Sequence, residues 1–291
     1  MLVSRYLQLD VFARTRGGGN PLGVVVDADG WSAEQMQSFA RWANLVETTF
    51  LLPPTEPSAS YRVRIFTPTS EIGFAGHPTI GSAHAVLQFG IADPGEGLLV
   101  QECAAGLLPI RVEGQPGQHE LFVQSPAARV VSTGSDDESR VRSLLSDVTL
   151  GRLPPAFVEG GRRWWLAELD HEQELRSWRP DHSQIAALSV STQSMGLCVF
   201  ARSDCADHEL VVRAFPAGVG IVEDPASGAA NGLIAAYIAG FEPDGSLANG
   251  YRVSQGREIG HDAAITINVR DGTVWVGGKT NTIISGQATW S

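Results

Sequence analysis

The chain opens on an alternation of apolar and polar positions, LQLDVFA, which predicts a half-buried strand. GGGNPLG behind it reads as a turn and GVVVDA as a buried strand. The period then changes: SAEQMQSFARWAN spaces its apolar residues as an amphipathic helix. Ser32 stands three residues before Gln35, an approximate capping box. Strands return in ETTFLLPP and YRVRIFTP. FAGHPTIGSA (74–83) follows, and leads into the apolar run AVLQF, a helix without a polar face. GLLVQE and LLPIRVE predict more strands, and the polar, turn-rich GQPGQH (114–119) marks the expected domain boundary.

Beyond it, ELFVQS reads as a strand and ESRVRSLLSDV as a short charged helix. RRWWLAEL, GLCVFARS and ELVVRAFP predict strands, a second apolar helix covers 226–240, and YRVSQG, AAITINVR, GTVWVGG and NTIISGQATW predict the strands of the tail. A helix that is apolar all round must be enclosed by protein, and among so many strands the enclosure is a curled sheet. The expected fold is α+β: two pseudo-symmetric domains, each a curled, mostly antiparallel, barrel-like sheet around a central helix. Residues 1–116 form the first, completed by the terminal strand 280–291, and residues 117–279 the second. Residues 155–205 carry no readable motif and are candidates for shaping specificity; Trp164 and Trp165 within them read first as core.

The two apolar helices share an opening. His77-Pro78-x-x-Gly81-x-Ala83 matches Asp224-Pro225-x-x-Gly228-x-Ala230, and each is preceded by a similar strand, VRIF or VRAF. His84 and Asn231 stand seven positions after their openers, on the opener's face. The set points to an internal duplication. His77 and Asp224 read as helix N-caps with proline at the first helical position, where its missing N–H costs nothing. Such a start offers unpaired N–H groups and a partial positive charge, and so suits a carboxylate or phosphate. Two starts facing each other across a domain cleft would hold a small anionic molecule.

Composition narrows the partners. The formal charge of −11, from 21 basic against 32 acidic residues, argues against nucleic acid. The longest apolar run, GLIAAYIAGF, is too short for a membrane span, so the expectation is a soluble, cytoplasmic protein with neither partner. Three widely spaced cysteines, Cys103, Cys198 and Cys205, fit neither a disulfide framework nor a CxxC site. GGGNPLG and GGKT fail as P-loops, HEQEL lacks a second histidine, and no GxSxG is present. Nothing points to a nucleotide, metal or covalent cofactor, and the expected cofactor is none. Glu47, in NLVETTFLL, reads either as a solvated carboxylate beside a strand or as a carboxyl in a mostly apolar setting, where desolvation favours a group that both takes and gives a proton.

The stretches DVFARTRGGGNPLGVVVDA, MQSFARWANLVETTF, RIFTPTSEIGFAGHPTIGSAHAV and EDPASGAANGLIAAY, with SQGREIG and VGG downstream, closely resemble the phenazine-biosynthesis isomerase (PhzF-like) family. The matches run in order from about residue 8 to 279. The resemblance implies the diaminopimelate epimerase fold, an enzyme without metal or organic cofactor, and a homodimer. It implies an isomerase of the kind that moves a proton between ring carbons of a dihydro-hydroxyanthranilate. Glu47 looks like the proton shuttle, with His77 and Asp224 as its catalytic partners. Asn20, Gly76, Ser227, Gly228 and Ala229 look like substrate-binding positions, with backbone N–H groups near the substrate carboxylate. Two positions depart from the pattern: Ala229 stands where the phenazine enzyme's motif has serine, and Gly73 where proline is frequent. The missing hydroxyl bears on the choice of substrate and leaves proton transfer by Glu47 untouched. An amino-acid racemase or epimerase on the same fold is the alternative, although no cysteine lies in either opener. A non-catalytic small-molecule binder is the third reading.

Overall fold

The computed structural model describes residues 1–132 and 136–291. It divides into two units, 1–124 with 277–291 and 125–276. The first begins with β1 (Leu2–Val11), β2 (Asn20–Val26), α1 (Ala33–Ala43), β3 (Glu47–Leu52) and β4 (Tyr61–Phe66). It continues with β5 (Glu71–Ile72), α2 (Gly76–Gln88), β6 (Leu98–Cys103), β7 (Gly106–Glu113) and β8 (Glu120–Gln124). The polar segment 114–119 is the turn between β7 and β8, which pair antiparallel, and the division falls after it, at the end of β8.

The remaining elements begin with β9 (Arg129–Ser132), α3 (Asp136–Leu144), β10 (Ala156–Gly160), β11 (Arg162–Leu169), α4 (Glu172–Ser177) and α5 (His182–Thr192). Then come β12 (Leu197–Arg202), β13 (Leu210–Phe215), α6 (Gly228–Phe241), β14 (Gly250–Gln255), β15 (Ala263–Arg270) and β16 (Thr273–Gly278). The last strand, β17 (Thr280–Trp290), returns to the first unit and pairs antiparallel with β1.

The pairing order is the same in both units. In the first, β1–β2 is antiparallel, β2–β3 parallel, β3–β4 antiparallel, β4–β6 parallel and β6–β7 antiparallel. In the second, β10–β11, β11–β12, β12–β13, β13–β14 and β14–β15 repeat that alternation. Helices enter at matching points: α1 precedes β3 as α4 and α5 precede β12, and α2 precedes β6 as α6 precedes β14. Two parallel pairings per unit each require a crossover, and the crossovers are helices.

The burial pattern follows. Every residue of α2 from Gly76 to Ala83 is buried, and the helix touches β1, β2, β3, β4, β6, β8 and β17. α6 is buried along most of its length, with Ala229 exposed, and touches β9, β10, β11 and β15. The amphipathic helices cover the outer faces. Met36, Phe39 and Ala40 of α1 pack with Trp31 on Phe50 and Phe66. Leu175, Ile185 and Leu188 of α4 and α5 pack on Trp165, Val199, Val211 and Phe215. Trp164 and Trp165 are both core. The capping box at Ser32 and Gln35 is formed as expected.

Candidate active site

In the first unit the site is built where β2 and β3 begin. Their parallel register sets Leu22 opposite Glu47, so Asn20 and Pro21 lie at the same end of the sheet as Glu47. Asp10 holds the preceding loop: its two carboxylate oxygens accept from the Gly17 and Gly19 N–H groups at 2.6 and 2.8 Å. Asn20, the first residue of β2, is fully buried. Across from this strand end, α2 presents His77, whose Nε2 lies 3.3 Å from Glu47 Oε2; the two side chains are 7% and 13% exposed. α2 comes this close because Gly81 faces β1 and β2: a Cβ there would stand 2.4 Å from Leu22 Cδ2.

Burial pushes the His77 imidazole down to about 3, against a smaller opposing effect of a hydrogen bond with the Pro21 backbone. Pro21 has no N–H, so the ring is the donor and the Pro21 carbonyl the acceptor. Nε2 has no hydrogen-bond partner of its own, which assigns the proton to Nδ1 and leaves the Nε2 lone pair facing Glu47. The ring is therefore neutral near pH 7. Its contact with Glu47 is that of an acceptor waiting for a proton, and not an ion pair.

In the second unit Asp224 is half-buried ahead of α6. Its N–H donates to the Ala214 carbonyl at 2.9 Å, and its Oδ1 accepts from the Ala226 N–H at 3.1 Å. Gly228 and Ser227 are buried and Ala229 is exposed. The neighbouring Glu223 is structural: Arg213 binds its carboxylate through two bonds of 2.9 Å while also donating to the Leu175 and Trp178 carbonyls.

The two openers are not helix caps, contrary to the sequence reading. The N-cap of α2 is Ala75, and His77 and Pro78 are the second and third helical residues. The N-cap of α6 is Ser227, three residues after Asp224, and its hydroxyl accepts from the Ala230 N–H at 3.4 Å. The repeat therefore aligns Gly76 with Gly228, not His77 with Asp224, and the proposed match of His84 with Asn231 falls with it. The true match of Asn231 is Thr79. Asn231 Nδ2 donates to the carbonyl of its N-cap at 2.9 Å, and Thr79 Oγ1 does the same at 2.9 Å.

Both starts keep two N–H groups without a hydrogen bond among the described residues: Gly76 and His77 in α2, Gly228 and Ala229 in α6. Among the described residues no group of three or more His, Cys, Asp or Glu gathers for a metal ion. A cavity of about 450 Å³ on the first unit, lined by Trp31, Met36, Arg62, Glu71 and Cys103 among others, shares no residue with this site.

A model of the phenazine biosynthesis-like proteins, PhzC-PhzF, matches residues 9–291. The chain belongs to the PhzC-PhzF family. "Antisense-enhancing sequence 1" of Schizosaccharomyces pombe is 31% identical over 97% of this chain and 98% of its own. Trans-2,3-dihydro-3-hydroxyanthranilate isomerase of Pseudomonas chlororaphis is 33% identical over 88% and 86%. The crystal structure of a PhzF-family protein of Bacillus anthracis superposes with a TM-score of 0.85 at 23% identity, covering 99% of this chain and 100% of that one. A hydroxyproline epimerase from Agrobacterium vitis shares the fold, with a TM-score of 0.62 at 13% identity over 98% and 92% of the chains. The protein is an isomerase of this family.

In this PhzC-PhzF chain, Glu47, His77, Asn20 and Gly76 stand together in the first unit, and Asp224, Ser227, Gly228 and Ala229 in the second. Sequence reasoning missed Pro21 as the residue that orients His77, since a carbonyl acceptor has no residue-type signature. It also missed Gln255, whose side chain donates to the Asp224 carbonyl at 2.8 Å and accepts from the Ser227 N–H at 3.2 Å, although SQGREIG was noted as a motif.

Proposed function

We propose that the protein moves a proton between two carbons of a small, carboxylate-bearing substrate without a cofactor, with Glu47 as the shuttle. The Glu47 carboxylate takes a proton from one carbon, and the electron pair left behind delocalises into the neighbouring unsaturated system. The resulting carboxylic acid returns the proton to a second carbon. What carries this reading is the 3.3 Å approach of a neutral imidazole lone pair to Glu47. Once Glu47 holds the proton, His77 Nε2 accepts its O–H and keeps the acid aimed. Burial disfavours the protonated ring, and on this reading His77 orients the shuttle.

The free N–H pair at Gly76 and His77 suits a carboxylate, with the helix start adding partial positive charge. The proposal extends to Asp224 and to the Gly228 and Ala229 N–H groups of the second unit, which would contact the same substrate. The matching layout of the two helix starts supports that extension. General acid–base catalysis supplies roughly 10²–10⁴-fold, and positioning and electrostatics the rest.

The test is carbon exchange in D₂O with trans-2,3-dihydro-3-hydroxyanthranilate, the compound named for the Pseudomonas relative. Wild type should release isomerised product carrying deuterium, and Glu47→Gln should not, while folding and binding persist. A fully active Glu47→Gln protein ends the assignment. An inactive wild type ends this choice of substrate and directs the search to other small carboxylic acids.

A further inference from the structure

Gln255 ends β14 and is fully buried. Its amide makes three bonds to the segment that opens α6. Nε2 donates to the Asp224 carbonyl at 2.8 Å. Oε1 accepts from the Ser227 N–H at 3.2 Å and from Asn231 Nδ2 at 2.9 Å. One side chain therefore grips the segment before its turn, at the N-cap and in the first helical turn. The backbone follows closely: Gly256, at φ 90°, leaves so little room that a Cβ would stand 2.6 Å from the Pro225 carbonyl oxygen.

The first unit carries the same device in a reduced form. Gln101 of β6 is fully buried, donates from Nε2 to Thr79 Oγ1 at 3.1 Å, and accepts from the Tyr61 hydroxyl at 3.0 Å. β6 and β14 hold the same place in the pairing order, and Thr79 and Asn231 the same place in their helices. Gln101 reaches only its helix, however. Gln255 also holds the main chain of Asp224.

We propose that Gln255 is a positioning residue for the reaction. Its Nε2–H fixes the Asp224 main chain, and through it the Asp224 carboxyl. Its Oε1 fixes the first turn of α6, whose Gly228 and Ala229 N–H groups stay free for the substrate. The role of Asp224 in this inference rests on the function proposed above.

Two variants separate the contacts. Gln255→Glu, once ionised, keeps the acceptor for Ser227 and Asn231 and loses the donor to Asp224; the protonated acid would keep that donor, so the variant is assayed across pH up to the range where the carboxyl is ionised. Gln255→Leu loses all three bonds. Hydrogen-exchange mass spectrometry of the ligand-free protein should show exchange across 225–231 rising about tenfold or more in Gln255→Leu, with the start of α2 unchanged. Gln255→Glu should keep wild-type exchange there. Its kcat should fall about tenfold or more while KM stays within about threefold, because Asp224 alone is displaced. Wild-type kcat in Gln255→Glu overturns the proposal, and so does unchanged exchange in Gln255→Leu. Should Gln255→Leu fail to fold, the split between kcat and KM in Gln255→Glu decides it. Failure of wild type on the dihydro-hydroxyanthranilate ends the substrate reading alone, and exchange in the two variants then decides the brace.

Discussion

At the start of α2, Pro78 removes the third N–H of the helix, and at the start of α6 the Ser227 hydroxyl occupies it. Both helices are left with the same two free N–H groups. They reach this end from different residues: α2 has an uncapped Ala75 and a buried imidazole, whereas α6 has a serine cap and an alanine where α2 has His77. The charged partner differs as well. Glu47 comes to α2 from a neighbouring strand, while Asp224 lies on the chain that runs into α6. What the two units share here is the geometry of the helix start, with buried glutamines in corresponding strands bonded to it. The side chains proposed to do the chemistry differ around it.

Four experiments would break or sharpen this contrast. The largest effect is expected in turnover. Glu47→Gln should lower kcat by about 10²-fold or more, and Asp224→Asn by clearly less, because only Glu47 is proposed to exchange protons with carbon. Equal losses in the D₂O assay would mean that the two units share the proton transfer.

Part of the sensitivity to acid should come from His77 in α2. Below pH 6.5 the unfolded chain protonates His77, while the folded ring stays neutral until about pH 3. The unfolded state thus binds more protons in that window, and stability falls on acidification by up to about 1.4 kcal/mol per pH unit. His77→Asn keeps a donor for Pro21 and removes this dependence. Its urea-unfolding free energy should fall less steeply than wild type between about pH 6.5 and pH 4.

The helix seats should respond alike. A Cβ at Gly81 meets Leu22 Cδ2 at 2.4 Å, and one at Gly232 meets Ser125 Oγ at 2.2 Å. Gly81→Ala and Gly232→Ala should each cost about 1–3 kcal/mol by overpacking. A neutral result at either site in thermal unfolding would show that its helix is loosely seated.

The smallest effect is a gain. Ala75 has extended cap geometry, φ −151° and ψ 146°, without a side-chain bond. Ala75→Ser should stabilise by about 0.5–1 kcal/mol. Since Pro78 cannot donate, the new hydroxyl takes the His77 N–H, and KM should rise. An unchanged KM would separate that N–H from substrate binding.

The sequence by itself determined a good deal. Local periodicity marked α1 with its cap and nearly every long strand, because each depends on residues within one or two turns. The two all-apolar helices announced a duplicated enclosure, and FAGHP, ETTF and EDPASG marked the family. It did not reveal α4 and α5, short helices whose apolar residues meet their partners only on the outer face of the sheet. Nor did it reveal where α2 and α6 begin. Proline is acceptable at the first or the third helical position, and Ala75 carries no capping signature. Only the tertiary structure decided the register, because the residues that set it are distant: Gln101 and Gln255 reach back more than twenty positions to Thr79 and to Ser227 and Asn231. The same holds for the state of His77. Its low proton affinity comes from burial, and its tautomer from a carbonyl more than fifty residues away.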